Sequence, residues 1–192
     1  MSDKKARKRD LILDTAFELI LENGYSNTKI IDIAKKAGIG KGTVYEYFES
    51  KEALILELID KRVRQDYVRV CETMLKAPTC KERLAEYLRL EIETTAKYKA
   101  NVNDLQSELT SSNTEISMDV LNAVHSIVFL QFEAIRDVIG NGIESGEFRR
   151  VDPYMATACF MGSISFYLSL LQKGMPCAED SFLDCIFRGL IM

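Results

Sequence analysis

Prolines are scarce in this 192-residue sequence, three in all, and tryptophan is absent. Proline removes a backbone donor and clashes with the preceding helical turn, so its scarcity leaves long stretches free to be helical. There is a single histidine, His125, and neither a glycine-rich phosphate loop, a metal-ligand spacing nor a nucleophile motif accompanies it. Catalysis therefore has no visible machinery, and neither a metal nor a cofactor is expected. The cysteines, Cys71, Cys80, Cys159, Cys177 and Cys185, are odd in number and no two have CxxC spacing. That argues against zinc or a disulfide framework and predicts buried, reduced thiols. The opening MSDKKARKRD passes from basic residues into an amphipathic pattern without the apolar core of a secretory signal, so a cytoplasmic protein is expected. One charge-free stretch, Tyr154 to Leu171, approaches membrane-spanning length. Thr157, Gly162, Ser163, Ser165 and Ser169 interrupt it, which predicts a buried helix of a soluble protein and no membrane partner.

What is present favours an all-α fold, because Leu, Glu, Lys and Ala recur throughout. The net charge of -4 is unevenly spread. Residues 1–65 hold thirteen Lys and Arg against eleven Asp and Glu, a balance of +2, whereas residues 66–192 hold twelve against eighteen, or -6. A weakly basic head on an acidic body follows. Apolar periodicity and its breaks predict about nine helices: 7–22, 29–36 capped by Thr28, 41–48, a continuous 51–76, one after Thr79, one near Asn101, one from the Ser111–Thr114 cap to Ile143, 153–172 and 178–190.

The second and third helices are joined by Ala37-Gly38-Ile39-Gly40, the spacing of a helix-turn-helix whose second helix enters the major groove. At 100° per residue, Val44 and Phe48 share an inward side, and Gly42, Thr43 and Glu46 fall opposite, flanked by Tyr45 and Tyr47. Hydroxyls suit phosphate oxygens, and a glycine permits close approach to bases. Lys41 and Lys51, at two helix starts, add charge where backbone amides already attract phosphate.

The run from Thr28 to Leu54, above all Gly42-Thr43-x-Tyr45-x-Tyr47-Phe48-x-Ser50-Lys51-Glu52, resembles the DNA-binding signature of the TetR/AcrR family of one-component regulators. The similarity covers about Arg9 to Leu56. It implies that Thr28, Lys41, Tyr45, Tyr47 and Lys51 hold the DNA backbone while Gly42 and Thr43 meet base edges. Three positions depart from the family's habit. Gly40 lacks the usual serine hydroxyl, Lys29 adds a charge, and Glu46 puts a carboxylate on the outward face. Glu46 either accepts from a cytosine amino group or points into solvent. The cluster Lys4, Lys5, Arg7, Lys8 and Arg9 reads either as an arm on the DNA or as a frayed, solvated terminus.

In the body, small residues Ala158, Gly162, Ser165 and Ser169 line one side of the 153–172 helix and bulky Phe160, Ile164, Tyr167 and Leu171 another. Two buried faces are expected, one toward the core and one toward a second copy, joined by Phe182, Ile186 and Leu190 of the last helix. The family resemblance implies a four-helix dimer interface there, with Gly142-x-x-x-Gly146-Glu-Phe148 as a landmark. It also implies an effector pocket in the preceding helices. The candidate lining is Tyr87, Glu91, Thr94 and Tyr98 on one helix and His125, Phe129 and Phe132 on another.

The expected organisation is a helix-turn-helix DNA-binding domain at 1–50 and a ligand-binding and dimerisation domain at 51–192. The expected function is a homodimeric repressor of a palindromic double-stranded DNA operator, released by a small apolar or amphipathic effector acting through the continuous 51–76 helix. A helical protein-binding adaptor is the alternative, but it has no need of Lys41, Tyr45, Tyr47 and Lys51 around one short helix.

Overall fold

The computed structural model describes residues 3–98 and 117–191. The expected helix near Asn101, the Ser111–Thr114 cap, and the side chains of Tyr98 and Leu190 lie outside the described residues. Among those described there are nine α-helices. They are α1 (Asp3–Asn23), α2 (Ile30–Lys36), α3 (Lys41–Tyr47), α4 (Lys51–Leu58), α5 (Arg64–Met74), α6 (Cys80–Tyr98), α7 (Met118–Glu144), α8 (Pro153–Gln172) and α9 (Glu179–Ile191). Two compact units emerge: one contains Met1–Gln65 and the described part of Tyr98–Ser126, the other Asp66–Lys97 and Ile127–Met192.

In the first unit α1 packs on α2 and α4, and α2 on α3. The core is built from Ile12, Leu13, Ala16 and Ile20 of α1, Ile30, Ile33 and Ala34 of α2, Val44 and Phe48, and Leu54, Ile55 and Leu58 of α4. Each of the larger side chains, Ile, Leu, Val or Phe, contributes about 1.5–3 kcal/mol when fully buried. Gly24 closes α1 at φ 83° and donates its N–H to the Ile20 carbonyl, a conformation a side chain would resist. Ser50 caps α4 by accepting from the Ala53 N–H.

Three expectations change here. First, α1 begins at Asp3, so the basic cluster is neither arm nor frayed end but helix. Second, Lys29, not Thr28, stands at the N-cap of α2, and no side chain caps it. The Thr28 hydroxyl instead donates to the carbonyls of Gly24 at 2.7 Å and Leu19 at 3.2 Å. Third, the helix expected over 51–76 is divided by a π-helical stretch, Ile59–Val63, where the Arg64 N–H reaches back five residues to the Ile59 carbonyl, and it ends at Met74. The apolar pattern runs through that stretch without a proline or glycine to announce it.

The second unit centres on Met74, Leu84, Leu88, Ile135, Ile139, Phe148, Phe160, Ile164, Leu168 and Phe187. Thr79 and Glu82 start α6 with a capping box, the Thr79 oxygen accepting from the Glu82 N–H and the Glu82 carboxylate from the Thr79 N–H. The turn at Gly146, φ 78°, delivers two groups to this unit. Glu147 accepts from the N–H groups of Cys80 and Lys81 at 2.8 and 2.7 Å, placing a negative charge on the N-terminus of α6. Phe148 folds back over Gly142, and its N–H donates to the Gly142 carbonyl. Asp152 caps α8 by accepting from the Met155 N–H, with Pro153 in the first turn as expected. The cysteines are free but not uniformly buried: Cys80 is buried, Cys71 and Cys177 half-buried, Cys159 and Cys185 exposed.

Candidate nucleic-acid interface

The third helix divides as its periodicity requires. Val44 and Phe48 are 0% and 3% exposed, and they fix which side of α3 faces outward. On that outward side Lys41, Gly42, Tyr45 and Glu46 are exposed, with Thr43 and Tyr47 half-buried at its margins. A Cβ on Gly42 would meet nothing within 4 Å, so the chain's own packing gives no reason for glycine there. Lys41 lies 5.8 Å from the Tyr45 ring centroid, and Lys29 is exposed at the start of α2. Lys41, Gly42, Thr43, Tyr45, Glu46 and Tyr47 are thus brought to one surface, with backbone amides at its N-terminal end.

Two expected members of this surface have other engagements. Thr28 is 2% exposed and its hydroxyl hydrogen is held by main-chain carbonyls, so it presents no side chain to phosphate. Lys51 donates to the Tyr25 carbonyl at 2.6 Å and lies 3.9 Å over the Tyr25 ring. Its charge stays at the N-terminus of α4, tethered.

Arg9, in the sequence only one of a basic cluster, is a structural brace. Its Nε donates to Glu57 at 2.6 Å, its Nη1 to the Tyr47 carbonyl at 2.7 Å, and its guanidinium lies 4.4 Å over the Phe48 ring. One side chain thereby ties α1 to the C-terminal end of α3 and to α4. The Arg9 guanidinium, with Lys61 beside it, holds the Glu57 carboxyl below the usual carboxylate range. A partner 48 residues distant leaves no local signal.

In the second unit, Tyr87 is buried on α6 and Glu91, one turn on, is half-buried. Burial raises the Glu91 carboxyl to about 7, against the opposing effect of the Tyr87 hydroxyl. Thr95, one turn on, is buried, and its hydroxyl oxygen has no hydrogen-bond partner among the described residues. From α5, Tyr67 donates to the Leu130 carbonyl at 2.7 Å, and burial pushes its hydroxyl and the Cys71 thiol above their ordinary ranges. Tyr67, Cys71 and Glu91 are half-buried polar groups on the two helices that supply Met74, Leu84 and Leu88 to the core.

The α7 half of the expected pocket is corrected. Helix α7 turns Ile127, Ile135, Val138 and Ile139 inward, leaving Phe129 62% exposed and His125 exposed. Phe132 is half-buried, 6.1 Å from the Tyr154 ring. Residues 127 and 129 lie about 200° apart on a helix, so both cannot face the core.

On α8 Phe160, Ile164 and Tyr167 are core and Leu171 is half-buried against it, whereas Ala158 and Gly162 are exposed and Ser165 and Ser169 half-buried. Met155 and Phe166, beside them, are 63% and 67% exposed, and a Cβ on Gly162 would meet nothing within 4 Å. The small-residue side, expected to be covered, is therefore an open apolar face in the single chain. Phe182 and Ile186 are half-buried, Phe182 stacking on Tyr167 at 4.4 Å. By length and composition α7 and α8 are each apolar enough to cross a membrane.

Four similarities to known proteins accompany these surfaces. The family model for bacterial regulatory proteins of the tetR family matches residues 12–58. The chain is 30% identical to the fatty acid metabolism regulator protein of Bacillus subtilis (strain 168), over 97% of this chain and 97% of that one. The crystal structure of FadR from Bacillus subtilis in complex with stearoyl-CoA is similar at TM-score 0.75 and 27% identity, covering 92% of this chain and 96% of the other. The fatty acid degradation regulator FadR of Bacillus halodurans shares the fold at TM-score 0.74 and 23% identity, over 94% and 93% of the two chains.

Proposed function

Because the chain belongs to the tetR family of bacterial regulatory proteins, and is thus a helix-turn-helix transcriptional regulator, we propose that it represses a palindromic operator as a cytoplasmic homodimer and is released by a long-chain acyl thioester. In this reading, residues 1–50 form the DNA-binding domain and residues 51–192 the ligand-binding and dimerisation domain. It works by binding, not by catalysis.

The observation that carries the reading is the outward face of α3. Gly42 and Tyr45 stand exposed, with Thr43 and Tyr47 half-buried at the margins, over a buried Val44 and Phe48, and Gly42 has open space beside it. Lys29, Lys41, Tyr45, Tyr47 and Lys51 are the proposed backbone contacts, and Gly42 and Thr43 the proposed base contacts. Dimerisation is proposed through Ala158, Gly162, Ser165 and Ser169 with Phe182, Ile186 and Leu190. A second copy covers the open apolar face of α8 without requiring a membrane.

The effector class is supported by the relative crystallised with stearoyl-CoA. An apolar core with Tyr87, Glu91 and Thr95 aligned on one side of α6 suits a ligand with a long chain and a few polar atoms. Binding of that ligand to one arrangement of the body shifts the protein away from the DNA-competent one. The test is a fluorescence anisotropy titration of operator duplex bound by the full chain. Stearoyl-CoA at low micromolar concentration is expected to weaken DNA binding by about 10-fold or more, within the range of allosteric couplings, while free coenzyme A has no effect. Unchanged DNA binding at saturating stearoyl-CoA would reject the effector class but leave operator binding intact.

A further inference from the structure

Lys4, Lys5 and Lys8 project from the first turns of α1, and together with Glu46 and Tyr47 of α3 they line a cavity of about 360 Å³. Gathering three lysines around one concave surface costs self-repulsion. The fold does not require it: Lys4 and Lys5 are exposed, Lys8 is half-buried, and the nearby core is made by Ile12, Leu13 and Ala16. Such a cluster makes physical sense as a seat for an anion. Three rotatable ammonium groups and the hydroxyl of Tyr47 can surround a tetrahedral oxyanion with donors.

The position of the cavity selects the anion. Two of its five lining residues come from α3, so it opens beside the face proposed to enter the major groove. The strands bounding that groove present phosphodiesters at its edge. Arg9 makes the placement rigid, because it joins α1 to the Tyr47 carbonyl, the Phe48 ring and Glu57 one turn beyond Lys5. The lysines are therefore carried on a braced helix, not on a trailing arm.

We infer that Lys4, Lys5 and Lys8 with Tyr47 form a second DNA clamp that seats a backbone phosphate at the edge of the groove, and that Glu46 is its counter-charge in the free protein. This rests on the DNA-binding reading above. It also gives Glu46 a role that needs no base: the carboxylate balances part of the lysine charge and opposes the incoming phosphate. Removing that charge strengthens binding to all sequences alike.

The experiment uses the full chain and its operator duplex, titrated at several salt concentrations. Wild-type protein is compared with the triple variant Lys4→Ala, Lys5→Ala, Lys8→Ala and with Glu46→Gln. Alanine is a strong helix former, so α1 is preserved, which circular dichroism verifies. The triple variant is expected to bind about 10- to 100-fold more weakly, with a log–log salt slope shallower by about one to three and an unchanged sequence preference. Glu46→Gln is expected to bind several-fold more tightly, with its sequence preference likewise unchanged. A triple variant that keeps the wild-type slope and affinity would overturn the clamp alone. A Glu46→Gln variant with altered base preference would overturn the role given to Glu46. A wild-type protein with no salt-dependent DNA binding would instead overturn the reading on which the clamp rests.

Discussion

Gly42→Ala is expected to raise the stability of the free protein slightly and to lower its affinity for operator DNA by about 10-fold or more. The two effects have separate causes. In the free chain an added Cβ meets nothing within 4 Å, and alanine in an exposed helical position is favoured over glycine by roughly 0.5–1 kcal/mol. Against DNA, the same methyl occupies the space through which α3 approaches base edges, where a single good contact is worth about 1–3 kcal/mol. Gly42→Leu extends the effect, and binding is expected to fall by about 100-fold or more. Thermal melting and anisotropy titration on the same samples check both halves. Equal affinities for wild type and Gly42→Leu would show that α3 does not approach the bases through this residue.

Gly142→Ala is expected to act in the opposite way, by damaging the body directly. An added Cβ would lie 2.3 and 2.5 Å from Cδ2 and Cε2 of Phe148 and 3.1 Å from Cβ of Cys80. Phe148 is 3% exposed, and its N–H is fastened to the Gly142 carbonyl at 2.8 Å, so the ring cannot swing away without opening the core. Its neighbour Glu147 holds the start of α6, and displacing one disturbs the other. Overpacking of this kind costs about 1–3 kcal/mol, and the rigidity of an aromatic ring puts this case at the upper end. Urea denaturation should show the loss. Phe148→Leu in the Gly142→Ala background should recover part of it, because a smaller, more adaptable side chain yields the space. Additive losses in the double variant would mean that Phe148 is not the obstacle.

These two glycines show what the sequence makes legible and where it stops. The outward face of α3 is readable because Val44 within the seven-residue helix and Phe48 at its C-cap, four apart, mark one inward side. Gly42 then stands opposite by arithmetic. Gly142 was recognisable as part of a recurrent tract, but its neighbour Phe148 across the turn and Cys80 on another helix appear only in the fold. Thr28 shows the limit of local rules. A threonine before a helix reads as a cap, yet the carbonyls of Leu19 and Gly24 reach its hydroxyl first. Arg9 was one of five basic residues in a row of charge, with nothing to single it out from Lys8 until Glu57 came beside it. In α7 the ambiguity lies in the composition. Aromatic and aliphatic residues occupy different sides of the same helix, and a pattern apolar all round does not say which side is buried. Aliphatic Ile135, Val138 and Ile139 took the interior, and Phe129 was left outside.

The central claim is that α3 reads DNA as one of a symmetric pair, and selection of bound duplexes from a random pool by the 192-residue chain tests it most directly. The predicted result is a palindrome whose half-sites are centred about one helical turn apart, roughly 10–10.5 base pairs, or a multiple of that spacing. Its affinity should fall steeply with salt and be lost with Gly42→Leu. Recovery of no enriched sequence, or of a sequence bound equally well by Gly42→Leu, would contradict the account.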